Sequence, residues 1–295
     1  MAVREGDWEE AGRQMENLRR QKPDTPWLNL VRFELATRHQ NWGEASTALS
    51  QATAARLLDA PRAKRHQAAL MLAAANEETQ QGQGDLAIQS AEKAVKQAPD
   101  WLPAIITLAR KQLATHHVRA TLRTIERAWA KKPHPQLAEI YIEAGRGGNP
   151  LDVHAKPLEV HKRIERLTRN NPDDPVSHLV LAESALAADL WGEARRHLMM
   201  LVSRNEATQT AFRLLAKLER RETGDERAAT QWLMKATEAV PDPRWLCSSC
   251  GGALDDWRAL CAHCGAFNSL EWQTPGIGRN GGTKALRARA LDMAG

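Results

Sequence analysis

Apolar residues recur along most of this chain at intervals of three and four positions, which is the spacing of one face of an α-helix. On that face a large residue is often followed by a small one, so that a neighbouring helix can approach closely. Three such groups are Ile105 with Leu108 and Ala109, His178 with Leu181, Ala182 and Ala185, and Phe212 with Leu215 and Ala216. The pattern predicts amphipathic helices that pack against one another up to about residue 240.

A short motif returns at the start of several of these helices. Trp8 to Ala11 reads WEEA, Trp42 to Ala45 reads WGEA 34 residues later, and Trp191 to Ala194 repeats WGEA. A proline follows twelve residues after a small residue in four places, where it ends a helix. These pairs are Ala11 and Pro23, Ala87 and Pro99, Thr121 and Pro133, and Ala229 and Pro241. A unit of 34 residues with two antiparallel helices and a terminal proline resembles the tetratricopeptide (TPR) repeat.

The repeat predicts an all-α, TPR-like helical-hairpin solenoid (superhelix) over residues 1–241, made of six hairpins after one unpaired helix. The predicted hairpins pair residues 25–39 with 42–57, 62–81 with 84–98, 101–115 with 117–131, 135–145 with 155–170, 174–188 with 191–204, and 207–223 with 225–239. The unpaired helix, residues 5–21, lacks a partner, and we expect the natural protein to extend upstream of Met1. GRGGNP, Gly145 to Pro150, predicts an insertion loop or, alternatively, a hinge or partner-binding element.

Composition and charge narrow the class of protein. The formal net charge is +5, from 41 basic and 36 acidic residues, which is a weak argument for binding nucleic acid. The longest helical apolar patch, AALMLAAA from Ala68 to Ala75, falls short of a membrane span, and Met1 leads directly into charged residues rather than a signal peptide. The sequence therefore predicts a soluble chain.

All four cysteines of the chain lie in RWLCSSCGGALDDWRALCAHCG, Arg244 to Gly265, as two C-x-x-C pairs that are each followed by glycine. This spacing suits a tetrahedral thiolate site, because the two-residue spacer turns both sulfur atoms inward. It predicts one structural Zn²⁺ per chain within a zinc-ribbon or rubredoxin-like module over residues 242–273, followed by a flexible basic tail over residues 274–295. The predicted ligands are Cys247, Cys250, Cys261 and Cys264.

Other chemistry for this region is less favoured. The same cysteines can hold iron, and in an exported protein they can form disulfides, but zinc fits the short spacing best. His263 lies inside the second C-x-x-C pair, where the cysteines are better placed as ligands. Because four thiolates leave no open coordination position, we expect no enzyme activity from this metal. Four aromatic residues are expected to cover the site and fasten the module to the last helical repeat, or, as the alternative, some of them form an exposed docking patch: Trp245, Trp257, Phe267 and Trp272.

The order of parts resembles the HemY family of α-proteobacteria: TPR-like repeats, W-x-C-x-x-C-G, a second C-x-x-C-G, and NSLEWQTP from Asn268 to Pro275. The lipopolysaccharide assembly protein B has a similar module. The HemY resemblance implies a non-catalytic scaffold or regulator of late haem biosynthesis at the cytoplasmic face of the bacterial inner membrane, anchored through an upstream segment. The second resemblance implies the alternative, an adaptor that presents an envelope-synthesis enzyme to a membrane protease.

Protein partners are therefore expected, which under the HemY resemblance include haem-biosynthesis enzymes, and no haem ligand can be assigned. We expect the first helix of each hairpin to line a partner-binding groove that includes Arg32, Arg110 and Arg213. The loop between the cysteine pairs, Gly251 to Leu260, has two acidic residues and one arginine, which argues against a surface for nucleic acid.

Overall fold

The computed structural model describes residues 25–145 and 156–276, together with Glu10, Gly12, Arg13 and Asn17. Most of the predicted helix over residues 5–21, the loop after Gly145 and the tail from residue 277 lie outside these residues. Twelve α-helices and three β-strands occur in the described part. In chain order they are α1 (Leu28–Arg38), α2 (Trp42–Ala54), α3 (Ala60–Gln80), α4 (Gly84–Gln97), α5 (Leu102–Ala114), α6 (Val118–Trp129), α7 (Pro135–Gly145), α8 (Pro157–Thr168), α9 (Pro175–Ala187), α10 (Trp191–Ser203), α11 (Gln209–Glu222), α12 (Glu226–Glu238), β1 (Arg244–Cys247), β2 (Ala253–Leu254) and β3 (Leu270–Gln273).

The turns inside the hairpins share one backbone device, a residue with positive φ two positions before the second helix. This residue is glycine in two hairpins and a polar residue in three others: Gly82, Gly224, Gln40, His116 and Asp189. A left-handed residue ends a helix by turning the chain away from its axis, and the next helix can start at once. The exposed His116 is therefore part of a turn.

Side-chain caps fix the start of several helices. Asp59 accepts a hydrogen bond from the backbone N–H of Arg62 at 2.8 Å at the start of α3, and Asp225 accepts one from Ala228 at 2.9 Å at the start of α12. Such caps satisfy N–H groups that the helix itself leaves unpaired. Because Asp59 caps the helix and Pro61 suits its first turn, α3 begins at Ala60, two residues before its predicted start.

The hairpins pack through alanine. In α2, Ala45, Ala48 and Ala52 are fully buried, and in α9 Ala182 and Ala185 are fully buried. Their small side chains let neighbouring helices approach, and larger residues such as Leu198 and Leu215 fill the space between them. The prediction of an all-α, TPR-like stack of hairpins is confirmed. Within the described ranges, no helix combines the length and the apolar run that crossing a bilayer requires.

The chain divides into two compact units. One unit contains the residues up to Ala104 and those from Arg244 onward, and the other runs from Ile105 to Pro243. The small antiparallel sheet after α12, with strand order β2-β1-β3, therefore belongs to the unit of the first hairpins. The predicted domain boundaries at residues 241 and 273 stay predictions.

Candidate metal centre

Two matching turns carry the four cysteines. In the first, Gly251 N–H donates to the Cys247 carbonyl oxygen at 2.8 Å, and in the second Gly265 N–H donates to the Cys261 carbonyl oxygen at 2.8 Å. Gly251 and Gly265 have φ of +75° and +67°, a conformation that glycine adopts without steric cost. The glycine after each C-x-x-C pair is therefore required by the backbone of the turn.

The sulfur atoms form a cluster of the size that a metal ion needs. The Sγ atoms of Cys247 and Cys264 are 3.7 Å apart, those of Cys250 and Cys261 are 3.8 Å apart, and all four lie within 4.8 Å of one another. A tetrahedron with metal–sulfur bonds of about 2.3 Å has edges of about 3.8 Å. None of the four cysteines is in a disulfide. The donor set thus fits one tetrahedral ion with thiolate ligands.

Hydrogen bonds to sulfur prepare the site for negative charge. Gly252 N–H donates to Cys250 Sγ at 3.4 Å, and the Ser269 hydroxyl lies 3.2 Å from Cys247 Sγ. Burial acts to raise the pKa of Cys247, but hydrogen bonds from Ser269 and from the backbone N–H groups of Ser249 and Cys250 bring that pKa down to about 7. A thiolate is the form that binds metal, so the donors to Cys247 favour binding, whereas burial raises the pKa of Cys250 to about 12 and also raises that of Cys264.

His263 has another role than that of a ligand. Its ring lies against Gly252, where an added Cβ atom would be 2.5 Å from His263 Cδ2, and its Nε2 atom is 3.4 Å from the Ala253 carbonyl oxygen. The imidazole thus packs on the first cysteine turn. Gly252 leaves the space that this contact requires.

The module is joined to the first hairpins through Phe267. The Phe267 ring meets Phe33 edge to face at a centroid distance of 5.4 Å, with His66 at 5.9 Å and Trp42 at 6.3 Å. Beside it, Asn268 Nδ2 lies 3.2 Å from His66 Nδ1. Aromatic rings in this arrangement gain more than their buried area alone supplies.

The expectation that aromatic residues fasten the module to the last helical repeat is wrong for Phe267 and Trp257. Phe267 contacts α1, α2 and α3, while Trp257 meets Trp101 edge to face at 5.1 Å. Trp245 and Trp272 face each other across β1 and β3 at 5.4 Å. Neighbourhood in sequence misled the prediction, because the aromatic pocket that receives Phe267 lies more than two hundred residues away along the chain.

The three predicted groove arginines are divided between the two compact units. Arg32 lies in one compact unit, where its Nε atom is 2.9 Å from Glu44 Oε1, and Arg110 and Arg213 belong to the other. All three are on the first helix of a hairpin, as predicted, and Arg110 and Arg213 are exposed. Their part in binding stays a prediction.

Sequence reasoning missed Ser269 and the pocket residues Phe33 and His66. Ser269 is the second residue of the NSLEWQTP segment. No sequence pattern marks it as a hydrogen-bond partner of a cysteine sulfur. Phe33 stood out only as one of three phenylalanines in the chain. The rarity of phenylalanine does not show that Phe33 and Phe267 pack together, so the sequence carried no signal for this contact.

Comparisons with known proteins give relatives in sequence and in structure. No protein-family model matches the chain. The chain is 27% identical over 247 residues to the probable magnetosome protein Mms48 of Magnetospirillum gryphiswaldense, and the match covers 83% of this chain and 53% of that protein. The chain thus spans about half the length of the curated relative that it matches.

Solved structures with a similar arrangement include two TPR proteins. The one from Parabacteroides merdae is 13% identical, with a TM-score of 0.38, and the match covers 81% of this chain and 89% of that one. The C-terminal part of the Cytophaga hutchinsonii protein is 15% identical, with a TM-score of 0.39 and coverage of 80% and 96%. MamA is 15% identical, with a TM-score of 0.32 and coverage of 56% and 92%. The resemblance to HemY and to lipopolysaccharide assembly protein B stays a prediction.

Proposed function

We propose that this chain is a non-catalytic scaffold for protein–protein interaction, whose first hairpins are held in shape by a structural zinc module. The docking of the cysteine module on α1, α2 and α3 through Phe267 is the observation that carries this proposal. A closed cage of four thiolates leaves no position for a substrate, so its contribution is to folding. Zinc is the preferred ion, because it takes this geometry without redox chemistry.

The first helices of the second unit supply a surface for a partner. Glu183 on α9 is exposed, yet the surrounding protein raises the pKa of its carboxyl group, and the like charges of Glu139 on α7 and Asp242 raise it further. Lys217 on α11 acts in the opposite direction. Charged side chains on three successive first helices therefore influence one another, and we call the surface around Glu183 the recess because burial is the main cause of its raised pKa. Such a surface favours specificity for one partner over others.

The partner class follows from the resemblances. HemY-type proteins imply enzymes of late haem biosynthesis at the inner membrane, which is our first choice. The observed packing of the module on helical repeats favours the adaptor role of lipopolysaccharide assembly protein B as the alternative. The name of Mms48, a relative across 83% of this chain, adds magnetosome proteins as a further class.

Crosslinking and capture from detergent-solubilised membranes tests the scaffold and its partners. The bait is the chain itself, compared with Glu183→Lys in the recess and with Cys247→Ser/Cys250→Ser in the module. Glu238→Lys, an exposed change on the second helix α12, is the matched control. Haem-pathway enzymes that are captured by the wild type and the control, and lost with Glu183→Lys, support the first choice.

Other outcomes decide against parts of the proposal. A membrane protease captured together with an envelope enzyme, without haem enzymes, supports the adaptor, and a magnetosome protein supports the third class. If Glu183→Lys and Glu238→Lys capture the same proteins in the same amounts as wild type, the recess is not the partner surface. Capture by the double cysteine variant at the wild-type level means that the module is not needed for docking.

A further inference from the structure

Ser269 lies at the base of the cysteine cage with two possible acceptors for its single hydroxyl hydrogen. Its Oγ atom is 3.2 Å from Cys247 Sγ and 3.1 Å from the Ala266 carbonyl oxygen, and the residue is 3% exposed. With Cys247 as a thiol, its S–H donates to Ser269 Oγ, and the hydroxyl donates to Ala266. Every polar hydrogen of this small network is then used.

Metal binding reverses the direction of one of these bonds. A metal-bound Cys247 is a thiolate, which accepts hydrogen bonds and cannot donate one. The Ser269 hydroxyl then turns its hydrogen from Ala266 to Cys247 Sγ. The Ala266 carbonyl oxygen still accepts a hydrogen bond from Cys261 N–H at 3.0 Å, so the change leaves no buried acceptor unpaired.

The charge of the loaded site makes this donor valuable. Four thiolates and one divalent ion carry a net charge of −2, which is costly where the ligands Cys247 and Cys261 are buried. Backbone N–H groups donate to the sulfur atoms of the cage, and Ser269 adds a donor from a side chain. A hydrogen bond to a charged sulfur is stronger than one to a neutral group.

We propose that Ser269 is a positioning residue of the metal centre: its hydroxyl rotates onto Cys247 Sγ when the cage is loaded and raises the affinity for the ion. This inference rests on the proposed zinc site. It differs from a packing role for Ser269, because it requires the hydroxyl and not only the volume of the side chain. The residue therefore belongs to the chemistry of the ion as well as to the sheet.

The test compares zinc binding by the full chain and its variants, using competition with a chromophoric chelator. Ser269→Ala is expected to bind Zn²⁺ about 10- to 100-fold more weakly than wild type, the usual effect of losing an outer-shell partner. Ser248→Ala is the matched control: the Ser248 hydroxyl lies in the same module and donates to the Ser269 carbonyl oxygen at 3.1 Å, not to sulfur. This control is expected to bind zinc as wild type does.

A spectroscopic readout separates electronic from structural effects. In the cobalt-loaded protein, the sulfur-to-metal charge-transfer band of Ser269→Ala should move to longer wavelength, because a thiolate without this donor gives up an electron more readily. Ser269→Thr, which keeps the hydroxyl, should keep the band of the wild type. The spectrum is read in the loaded state, so it remains informative if Ser269→Ala is poorly folded without metal.

Each outcome has a distinct meaning. If Ser269→Ala binds zinc as tightly as wild type and its cobalt band is unmoved, the inference is overturned. It is also overturned if Ser269→Ala and Ser248→Ala are weakened equally, since the effect is then one of module stability. If the wild-type chain binds neither zinc nor cobalt in a one-to-one ratio, the proposed metal centre itself fails, which is a separate result.

Discussion

A buried pair of histidines makes the second compact unit sensitive to acid. His178 on α9 and His197 on α10 are 7% and 8% exposed, and their Nδ1 atoms are 2.9 Å apart. Arg196 Nη2, which can only donate, lies 3.3 Å from His197 Nε2. The proton of His197 is therefore on Nδ1 and is donated to His178 Nδ1. Protonation of His178 then places two N–H groups against each other at the Nδ1 atoms. Protonation of His197 places an N–H group against the guanidinium of Arg196.

The size of the effect follows from the lowered pKa values of the two rings. Burial is the main cause, and it lowers the pKa of His197 from 6.5 to about 4 and that of His178 in the same direction. Other charges around the pair act in both directions: Arg196, Arg204 and His161 lower these pKa values, and Glu193, Asp173 and Glu206 raise them. Below the usual histidine pKa of 6.5, these histidines bind a proton in the unfolded chain, whereas burial disfavours their protonation in the folded chain. Stability is thus present above pH 6.5 and is lost as the pH falls toward 4.

At pH 5 the lowered pKa of His197 corresponds to a loss of about 2 kcal/mol in the free energy of unfolding. After allowance for solvent near Arg196, the expected loss is about 1 to 2 kcal/mol. The assay is urea unfolding at pH 7.5 and pH 5, with hydrogen exchange of the α9 and α10 amides as a local readout. Between pH 7.5 and pH 5, the free energy of unfolding of His197→Gln should fall by about 1 to 2 kcal/mol less than that of wild type. His39→Gln, which removes an exposed imidazole, should lose as much as wild type. Equal losses in wild type and His197→Gln would refute the reasoning.

Three further predictions concern the first hairpins and the core. Phe267→Ala should destabilise the first compact unit by about 2 to 3 kcal/mol in urea unfolding, less than for a fully buried phenylalanine because the ring is half-buried, and an unchanged transition contradicts its role. Chelation of zinc, or Cys247→Ser, should increase hydrogen exchange in α1 and α3 while α9 keeps its protection, and equal protection with and without metal argues against the coupling. Ser177→Ala should cost about 1 to 3 kcal/mol in thermal or urea unfolding, because the fully buried Trp129 loses the acceptor that lies 3.1 Å from its Nε1 atom, and a neutral effect would mean that another acceptor replaces it.

The sequence predicts the helices well because the signals that define them are local. Periodic alanines and leucines, the proline that ends a repeat and the capping aspartates all act within a few residues, and the predicted hairpins match the observed ones closely. The C-x-x-C-G pairs likewise predict the clustering of the cysteines, since each turn is set by its own glycine.

The contacts that join distant parts of the chain were beyond this reasoning. No local pattern assigns Phe267 to a pocket formed by Phe33, Trp42 and His66, because any buried aromatic residue satisfies the same pattern. The hydroxyl of Ser269 gains its meaning only from its distance to Cys247 Sγ, and a serine at the start of a strand is unremarkable in a sequence. Patterns in a single sequence predict individual helices and turns. Which of these elements pack together depends on tertiary contacts that such patterns do not contain.

The contact between His66 and Asn268 spans 202 positions of sequence, and this sets an order of events during synthesis. Each hairpin can form within microseconds to milliseconds of leaving the ribosome, because its contacts are local. The surface of the first hairpins around Phe33, however, is covered only after about 200 more residues are made. This takes about 10 to 40 seconds at the usual rate of protein synthesis. During that interval an apolar surface is uncovered, and a chaperone has time to bind it. The cysteine module follows the twelve described helices in the chain, so metal uptake can complete the surface of the first hairpins only after all of these helices have been made.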